Sequence, residues 1–476
     1  MKDYTTISRI YFIGIGGIGM SALAKYYLNK NATVSGYDKT VTSLTRQMET
    51  DGIRIHYEDD IDLLDKKAQL VVYTPAVSQD HKELNYYLDN NYEIIKRSAL
   101  LGEITKKSFN ICIAGTHGKT TISTMVAHIL RHSGFGCNAF LGGISVNYNT
   151  NFWYSDNNVA VVEADEYDRS FLQLSPDVAL ISAMDADHLD IYGTKENMEH
   201  SFVEFSHRLK AGGLLLTRYG VGADQFSAPS HKRYSLQNNM ADVYGINITM
   251  ENGGYEFDVQ TRDWMLDHIE LNMGGMHNVE NAVAGIAIAH QVGIEPEKIR
   301  DAVKTFRGVK RRFEYIIGPS QFSSQGFTAH RGRDVIFIDD YAHHPQELKA
   351  LIAGAKSLFS NSKCVIIFQP HLFSRTKDLA KDFAESLDQA DEVLILPIYP
   401  AREIPVEGVS AGLILQAMKN KYARIVTKEQ LLIYLEGDFN KTIDESATGT
   451  VLITAGAGDI DQLVSPIQNI LLNKPL

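Results

Sequence analysis

The sequence predicts an α/β protein of three domains: an N-terminal Rossmann-like parallel sheet, a central P-loop ATPase-like α/β domain and a C-terminal Rossmann-like α/β domain. Three observations lead there. Short apolar, β-branched runs alternate with helix-length segments, the order that builds βαβ units and parallel sheets. Two of these runs empty into glycine-rich turns, "FIGIGGIG" and "IAGTHGKTT". At 476 residues, the chain is also too long for one hydrophobic core.

In the first domain, expected over 1–106, "RIYFIGI", "ATVSGYD", "IRIHY" and "QLVVYTPAV" read as strands with helices between them. "NICIAG" opens a second series, expected over 107–310, which continues through "NVAVVEADE", "DVALISAMDADHLD" and "GGLLLTR". Alternating, polar-rich text at 241–273 interrupts it and predicts an antiparallel patch. After "GVKRRFEYI" comes the third series, expected over 311–476, with strands at "DVIFIDD", "KCVIIFQP", "DEVLILPIY" and "TVLITAGAG".

A net charge of −12 argues against a nucleic-acid partner, which calls for a basic face. Cys112, Cys137 and Cys364 are odd in number, far apart and without a C-x-x-C pair, so they predict buried thiols in a reducing cytoplasm. Near the N-terminus, Lys2, Arg9 and Ala22-Leu23-Ala24 imitate a secretory signal. Gly14, Gly16, Gly17 and Gly19 interrupt that stretch and suit a strand-to-helix turn instead. No run approaches the roughly 18–20 apolar residues of a membrane span, and no membrane partner is expected. A monomer or homodimer is the expected assembly.

The first turn, Gly14-x-Gly16-x-x-Gly19, matches the dinucleotide fingerprint, in which glycines let the backbone approach a pyrophosphate at a helix N-terminus. Asp38 ends the next strand, where an acid can hold a ribose hydroxyl. A tight helix-on-sheet turn without a ligand explains the same glycines. The second turn, Gly115-Thr116-His117-Gly118-Lys119-Thr120-Thr121, carries the G-K-T core of a P-loop. Backbone N–H groups there surround phosphate oxygens, Lys119 adds a point charge, and the Thr120 hydroxyl suits Mg²⁺. ATP with Mg²⁺ is the expected ligand. A P-loop also needs an acid at a neighbouring strand end. "VAVVEADEYD" offers Glu163, Asp165, Glu166 and Asp168, and "MDADHLD" offers Asp185, Asp187, His188 and Asp190. Crowded carboxylates are costly unless a cation neutralises them, so the two clusters together predict a metal site. A solvated loop is the competing role for any single acid.

"FIGIGGIGMSALA", "AGTHGKTT", "EADEYDRSFL", "DADHLDIYG", "HNVENAVAGIAIA", "GVKRRFE", "DDYAHHP", "FQPHLFSRTKDL" and "TAGAGDI" run in order from residue 12 to 460. Together they resemble the Mur ligases, which build the peptidoglycan precursor. The resemblance implies that the first turn takes the UDP of a nucleotide sugar and the second takes ATP. From the residues alone, a nicotinamide dinucleotide remained open for the first turn. The implied reaction is ATP-dependent amide formation between the lactyl carboxylate of UDP-N-acetylmuramate and L-alanine, through an acyl phosphate. By the same resemblance, Lys119 and the loop N–H groups hold the β/γ-phosphates, Thr120 and Glu163 bind one Mg²⁺, and His188 helps bind a second. His277 and Asn281 are implied as adenine contacts, with Arg312 and Asp340 completing the ATP residues. Tyr341, His343, His371 and Arg375 are implied to face the amino acid and the lactyl carboxylate. His343 and His344 also fit a cap on a helix starting at Pro345, and Arg375 a surface cation. Leu372 departs from the arginine common after "QPH" in this family, which removes one cation from the amino-acid side. Neighbouring ligases that add D-glutamate or a recycled tripeptide, and a regulator that binds nucleotides without ligation, share most of these features.

Overall fold

A computed structural model describes residues 3–185, 189–222, 225–251, 253–319, 335–401, 403–445 and 448–472. The chain divides into two compact units. The first holds 1–246, 259–266 and 281–302; the second holds 247–258, 267–280 and 303–476.

The first unit opens with β1 (Arg9–Ile13), β2 (Thr33–Tyr37), β3 (Arg54–His56), β4 (Leu70–Tyr73) and β5 (Ile94–Lys96), in the order β3-β2-β1-β4-β5. All pairings are parallel. The order reverses at β1, so the crevice beyond its carboxyl end, where the first glycine turn lies, is the switch point at which open α/β sheets bind ligands. The four expected strands are present, and β5 joins them as a short edge too brief to show a period.

The second sheet contains β6 (Phe109–Ala114), β7 (Asn138–Ser145), β8 (Thr150–Trp153), β9 (Val159–Glu163), β10 (Val178–Ile181), β11 (Leu214–Arg218) and β12 (Ser230–Ser235). Their order is β12-β11-β10-β6-β9-β7-β8. β6 sits between β9 and β10, with Ile113 opposite Glu163 and Ala114 opposite Ile181. That register sets the P-loop between both acid-bearing strand ends. β13 (Val243–Glu251), β14 (Gly254–Thr261) and β15 (Met265–Leu271) follow as sheet neighbours in chain order. Connections this short force consecutive neighbours to run antiparallel, as the alternating text at 241–273 predicts.

Within the first unit, the helix Ile18–Asn29 lays Tyr26 against Phe140 and Phe152 of β7 and β8, at ring separations of 5.8 and 6.1 Å. One continuous apolar core therefore serves both of these sheets. Each buried aromatic of that kind contributes roughly 1.5–3 kcal/mol by leaving water.

The second unit carries β16 (Glu314–Ile317), β17 (Val335–Asp340), β18 (Lys363–Phe368), β19 (Glu392–Ile395), β20 (Ala423–Ile425) and β21 (Thr450–Ala455). Their order is β16-β17-β21-β18-β19-β20, antiparallel only at β16. Ala455 is in register with both Asp340 and Phe368. Asp340, Gln369 and Gly456 thus gather at one sheet end. Apolar clusters cover both faces of this sheet. The three cysteines are free and buried, and burial pushes the Cys137 and Cys364 thiols up to about 12. Among the described residues, no helix is long and apolar enough to cross a membrane.

Candidate active site

The first glycine turn is shaped by its own acid. Gly14 and Ile15 donate their N–H groups to the Tyr37 carbonyl at 2.8 and 2.9 Å. Asp38 accepts from Gly16 N at 2.7 Å and from Thr40 N at 3.0 Å. The carboxylate expected at a ribose therefore also holds the turn in place. Gly17 caps the helix Ile18–Asn29 without a side-chain bond, and Gly19 lies in its first turn. An uncapped helix start leaves donors for an anion.

The second turn is a P-loop in geometry as well as in text. Gly115 has φ +125° and Gly118 φ +80°, backbone states that side chains avoid. A Cβ at Gly115 would lie 2.2 Å from Ser182 Oγ, so the loop also requires glycine for room. Ser182 donates to the Ala114 and His117 carbonyls, and Thr116 N donates to the Ala183 carbonyl at 3.1 Å. Gly118 caps the helix Lys119–His132, again without a side-chain bond. Thr120 and Thr121, in that helix's first turn, are buried. A Cβ at Gly118 would meet Asn281 Oδ1 at 2.8 Å, which puts Asn281 against this turn. His277 is on the same helix, Met276–Gln291, and is exposed.

Thr120 Oγ1 donates to Glu163 Oε1 at 2.9 Å, and Gly142 N donates to Glu163 Oε2 at 2.8 Å. The two expected Mg²⁺ ligands thus come together from one helix start and one strand end. The other described acids each have a basic side chain nearby. Glu166 holds Lys119 Nζ at 2.7 Å, Arg97 lies 3.7 Å from Asp165, Lys96 pairs with Asp168, and His117 lies 3.3 Å from Asp185. A basic side chain thus lies beside each of those four carboxylates. Among the described residues no group of three His, Cys, Asp or Glu forms a preformed cation site. A threonine and one carboxylate fit Mg²⁺ nonetheless, because that ion takes most of its oxygens from phosphates and water. Asp187 and His188 lie outside the described residues, and so does the expectation that His188 binds a second metal.

Glu166 is fully buried, and burial pushes its carboxyl up against the lowering pull of Lys119. Lys119 Nζ also donates to the Gly115 carbonyl at 2.7 Å. No local pattern in the sequence marks Arg97 or Ser182 or pairs Glu166 with Lys119, since each meets its partner only across the folded sheet.

In the second unit Asp340 accepts from Phe313 N and Ala342 N, both at 2.7 Å. Burial pushes its carboxyl up to about 6, against the lowering charge of Arg312. Arg312 itself is exposed. Its neighbour Arg311 is the structural cation: it donates to the Gly456 carbonyl, lies 3.6 Å from Asp339 and stacks 5.0 Å from the Tyr341 ring. Tyr341, His343, His371 and Tyr399 form a row of rings, with successive centroids 5.1, 6.3 and 5.8 Å apart. The helix Pro345–Leu358 starts where the sequence placed it, with His344 as its N-cap, and Glu347 completes the cap by accepting from His343 N and His344 N. The His343 ring faces the Tyr341 carbonyl at 3.0 Å.

Arg375 Nη1 and His371 Nδ1 are buried without a partner among the described residues. Such atoms are rare in folded proteins and ask for an explanation. Burial, then the Arg375 charge, holds the His371 imidazole below its ordinary pKa, and burial does the same for His343. Leu372, between His371 and the helix Phe373–Leu387, has φ +72°. A strained residue of this sort costs about 1–3 kcal/mol and persists where the surroundings fix it. Here it turns the chain so that His371 precedes the helix that carries Arg375.

A P-loop beside a strand-end acid and a second glycine turn at a sheet switch point make a protein that binds two nucleotides, and comparison with known proteins gives its class: this chain belongs to the Mur ligase family. Residues 9–109 match that family's catalytic domain, 113–289 its middle domain and 327–458 its glutamate ligase domain. The chain is 44% identical to a UDP-N-acetylmuramate–L-alanine ligase of Cytophaga hutchinsonii, over 98% of this chain and 97% of that protein. It is likewise 44% identical to the protein of that name from Porphyromonas gingivalis, over 98% and 99%. The crystal structure of the UDP-N-acetylmuramate-alanine ligase MurC from Thermotoga maritima superposes with a TM-score of 0.78, at 28% identity and 98% coverage of both chains. A murein peptide ligase from Psychrobacter arcticus shares the fold, with a TM-score of 0.65 at 22% identity and 98% and 100% coverage.

Proposed function

We propose that this chain joins the lactyl carboxylate of UDP-N-acetylmuramate to the amine of L-alanine, with ATP driving the step, in the cytoplasmic assembly of peptidoglycan precursor. The full-length 44% identity to ligases of that activity carries the reading, together with a P-loop that keeps Lys119, Thr120 and Glu163. A carboxylate does not acylate an amine, because oxide is a poor leaving group. Attack of the carboxylate oxygen on the γ-phosphorus breaks the bond to ADP and gives an acyl phosphate. The amine then attacks the acyl carbon, phosphate departs, and one proton is lost from nitrogen.

Each step asks the protein for positioning and for neutralised charge. Gly14, Gly16, Gly17, Gly19 and Asp38 are assigned to the UDP-sugar. Gly115 to Thr121, with Lys119 foremost, are assigned to the ATP phosphates, and His277, Asn281, Arg312 and Asp340 to the rest of ATP. Thr120 and Glu163 are assigned to Mg²⁺, which supplies charge neutralisation on the phosphates when bound. Arg375, with an unpartnered guanidinium nitrogen, is assigned to a substrate carboxylate. Tyr341, His343 and His371 are assigned to the amino acid. A neutral imidazole beside the amino acid can accept the proton that the ammonium group gives up before it attacks. We divide the chain functionally at about residues 106 and 311, in keeping with the three sheets.

Phosphate release tests the reading over a panel of L-alanine, L-serine, glycine, D-glutamate and tripeptide. Release is expected to require ATP, UDP-N-acetylmuramate and L-alanine together, to stop with EDTA and to return with Mg²⁺. Release with D-glutamate or tripeptide in place of L-alanine would assign a sister activity; slow release regardless of substrate would describe a nucleotide switch.

A further inference from the structure

We propose that the loop 163–169 couples the two nucleotide turns, with Arg97 and Asp165 as its positioning pair, so that a pyrophosphate at the first turn raises the affinity of the second for ATP. The inference rests on the assignment of the UDP-sugar to the first turn.

The acids of "EADEYDR" divide between two partners. Glu163 and Glu166 face the P-loop, through Thr120 Oγ1 at 2.9 Å and Lys119 Nζ at 2.7 Å. Asp165 and Asp168 face Arg97 and Lys96, which begin the helix Arg97–Thr105. Arg97 also fills the space beside Gly19. A Cβ there would lie 2.9 Å from Nη1 and 3.3 Å from Cζ of the guanidinium. One cation therefore touches the first nucleotide turn and the loop that serves the second.

Its hold on Asp165 is loose. The 3.7 Å separation exceeds the roughly 2.7–2.9 Å of a charge-assisted hydrogen bond, so an anion at the helix start can compete for the guanidinium. The loop itself is strained. Asp168 and Arg169 stand consecutively at φ 54° and 53°, left-handed states that arginine seldom adopts. Beside the loose Arg97–Asp165 pair, three contacts keep it there: the Lys96–Asp168 pair, Arg169 lying 5.5 Å from the Tyr192 ring, and the Tyr192 hydroxyl donating to the Glu166 carbonyl at 2.6 Å.

Glu166 is the output. Its Oε1 occupies Lys119, the cation assigned to the phosphates, while its buried Oε2 has no partner among the described residues. When Arg97 turns to a pyrophosphate, Asp165 loses its cation, the strained loop loses a hold, and Glu166 releases Lys119. Coupling of this kind is reciprocal: ATP must then tighten the UDP-sugar by the same factor.

Calorimetry on the full chain tests it, titrating a non-hydrolysable ATP analogue with Mg²⁺ in the absence and presence of saturating UDP-N-acetylmuramate. In the wild-type chain the sugar nucleotide is expected to tighten the analogue about fivefold or more. In Asp165→Asn and in Lys96→Gln that factor is expected to fall to about one, while each ligand still binds alone. An unchanged factor in both variants, or equal affinities in the wild type, overturns the coupling. A wild-type chain that binds the analogue but no UDP-sugar overturns the assignment of the first turn, and the coupling with it.

Discussion

Arg375 shows what a single residue can reveal. A buried guanidinium nitrogen with no protein acceptor is costly unless a ligand completes it. Arg375→Met is expected to raise KM for L-alanine or for UDP-N-acetylmuramate about tenfold or more, by loss of a charge-assisted hydrogen bond, and to leave ATP-analogue binding unchanged. Steady-state kinetics with each substrate varied in turn, beside calorimetry of the analogue, separates the two effects. Equal weakening of all ligands would mean that Arg375 supports the fold instead. At this scale the sequence was partly legible. Thr120 and Glu163 were readable because a P-loop and a strand-end acid have local spacings. Arg97 and Ser182 were not, because what gives them a role is a neighbour far along the chain. Asp165, Glu166 and Asp168 were read as one acidic cluster, and only the fold showed that each already faces a cation.

Elements divide the labour. The two glycine turns leave different sheets, each at the start of its own uncapped helix, so one can be disabled without the other. Lys119→Ala is expected to lower phosphate release by about 100-fold or more, since it removes a cation aimed at transferring phosphate. UDP-sugar binding, measured by calorimetry, is expected to stay within about twofold. Loss of both together would mean that the turns do not serve separate nucleotides. Strands were the most readable elements, because β-branched runs at βαβ spacing need no tertiary information. Short edges such as β5 and β20 escaped, being too brief to show any period. The helix start at Pro345 was legible with His344 as its N-cap, while the part of Glu347, which accepts from the His343 and His344 N–H groups, was not.

For the whole molecule, buried acids with raised pKa values, Asp339 and Asp340 among them, set the direction in which stability depends on pH. Asp339, 2% exposed, accepts from Thr454 Oγ1 at 2.6 Å, and burial pushes its carboxyl up to about 7. The folded state then keeps a proton that the unfolded chain gives up from its ordinary value of 3.8. This group favours folding below that value, and its contribution is lost as pH rises through about 7. The slope is at most about 1.4 kcal/mol per pH unit. Asp339→Asn is accordingly expected to raise the urea midpoint at pH 8 and to flatten its fall between pH 5 and 8. A variant that is less stable at pH 8 would show that Asp339 is held ionised by Arg311.

The sequence by itself determined the sheet class, both glycine turns, the P-loop lysine and threonine, and the order of family stretches from end to end. All of these are local: a turn, a period or a spacing specifies them before the chain folds. Only the tertiary structure decided which cation answers each carboxylate, that Tyr26 joins the first two sheets in one core, and that Arg375 and His371 keep open valences. Those facts depend on distances between residues that no sequence pattern links, and electrostatics and close packing act through such distances.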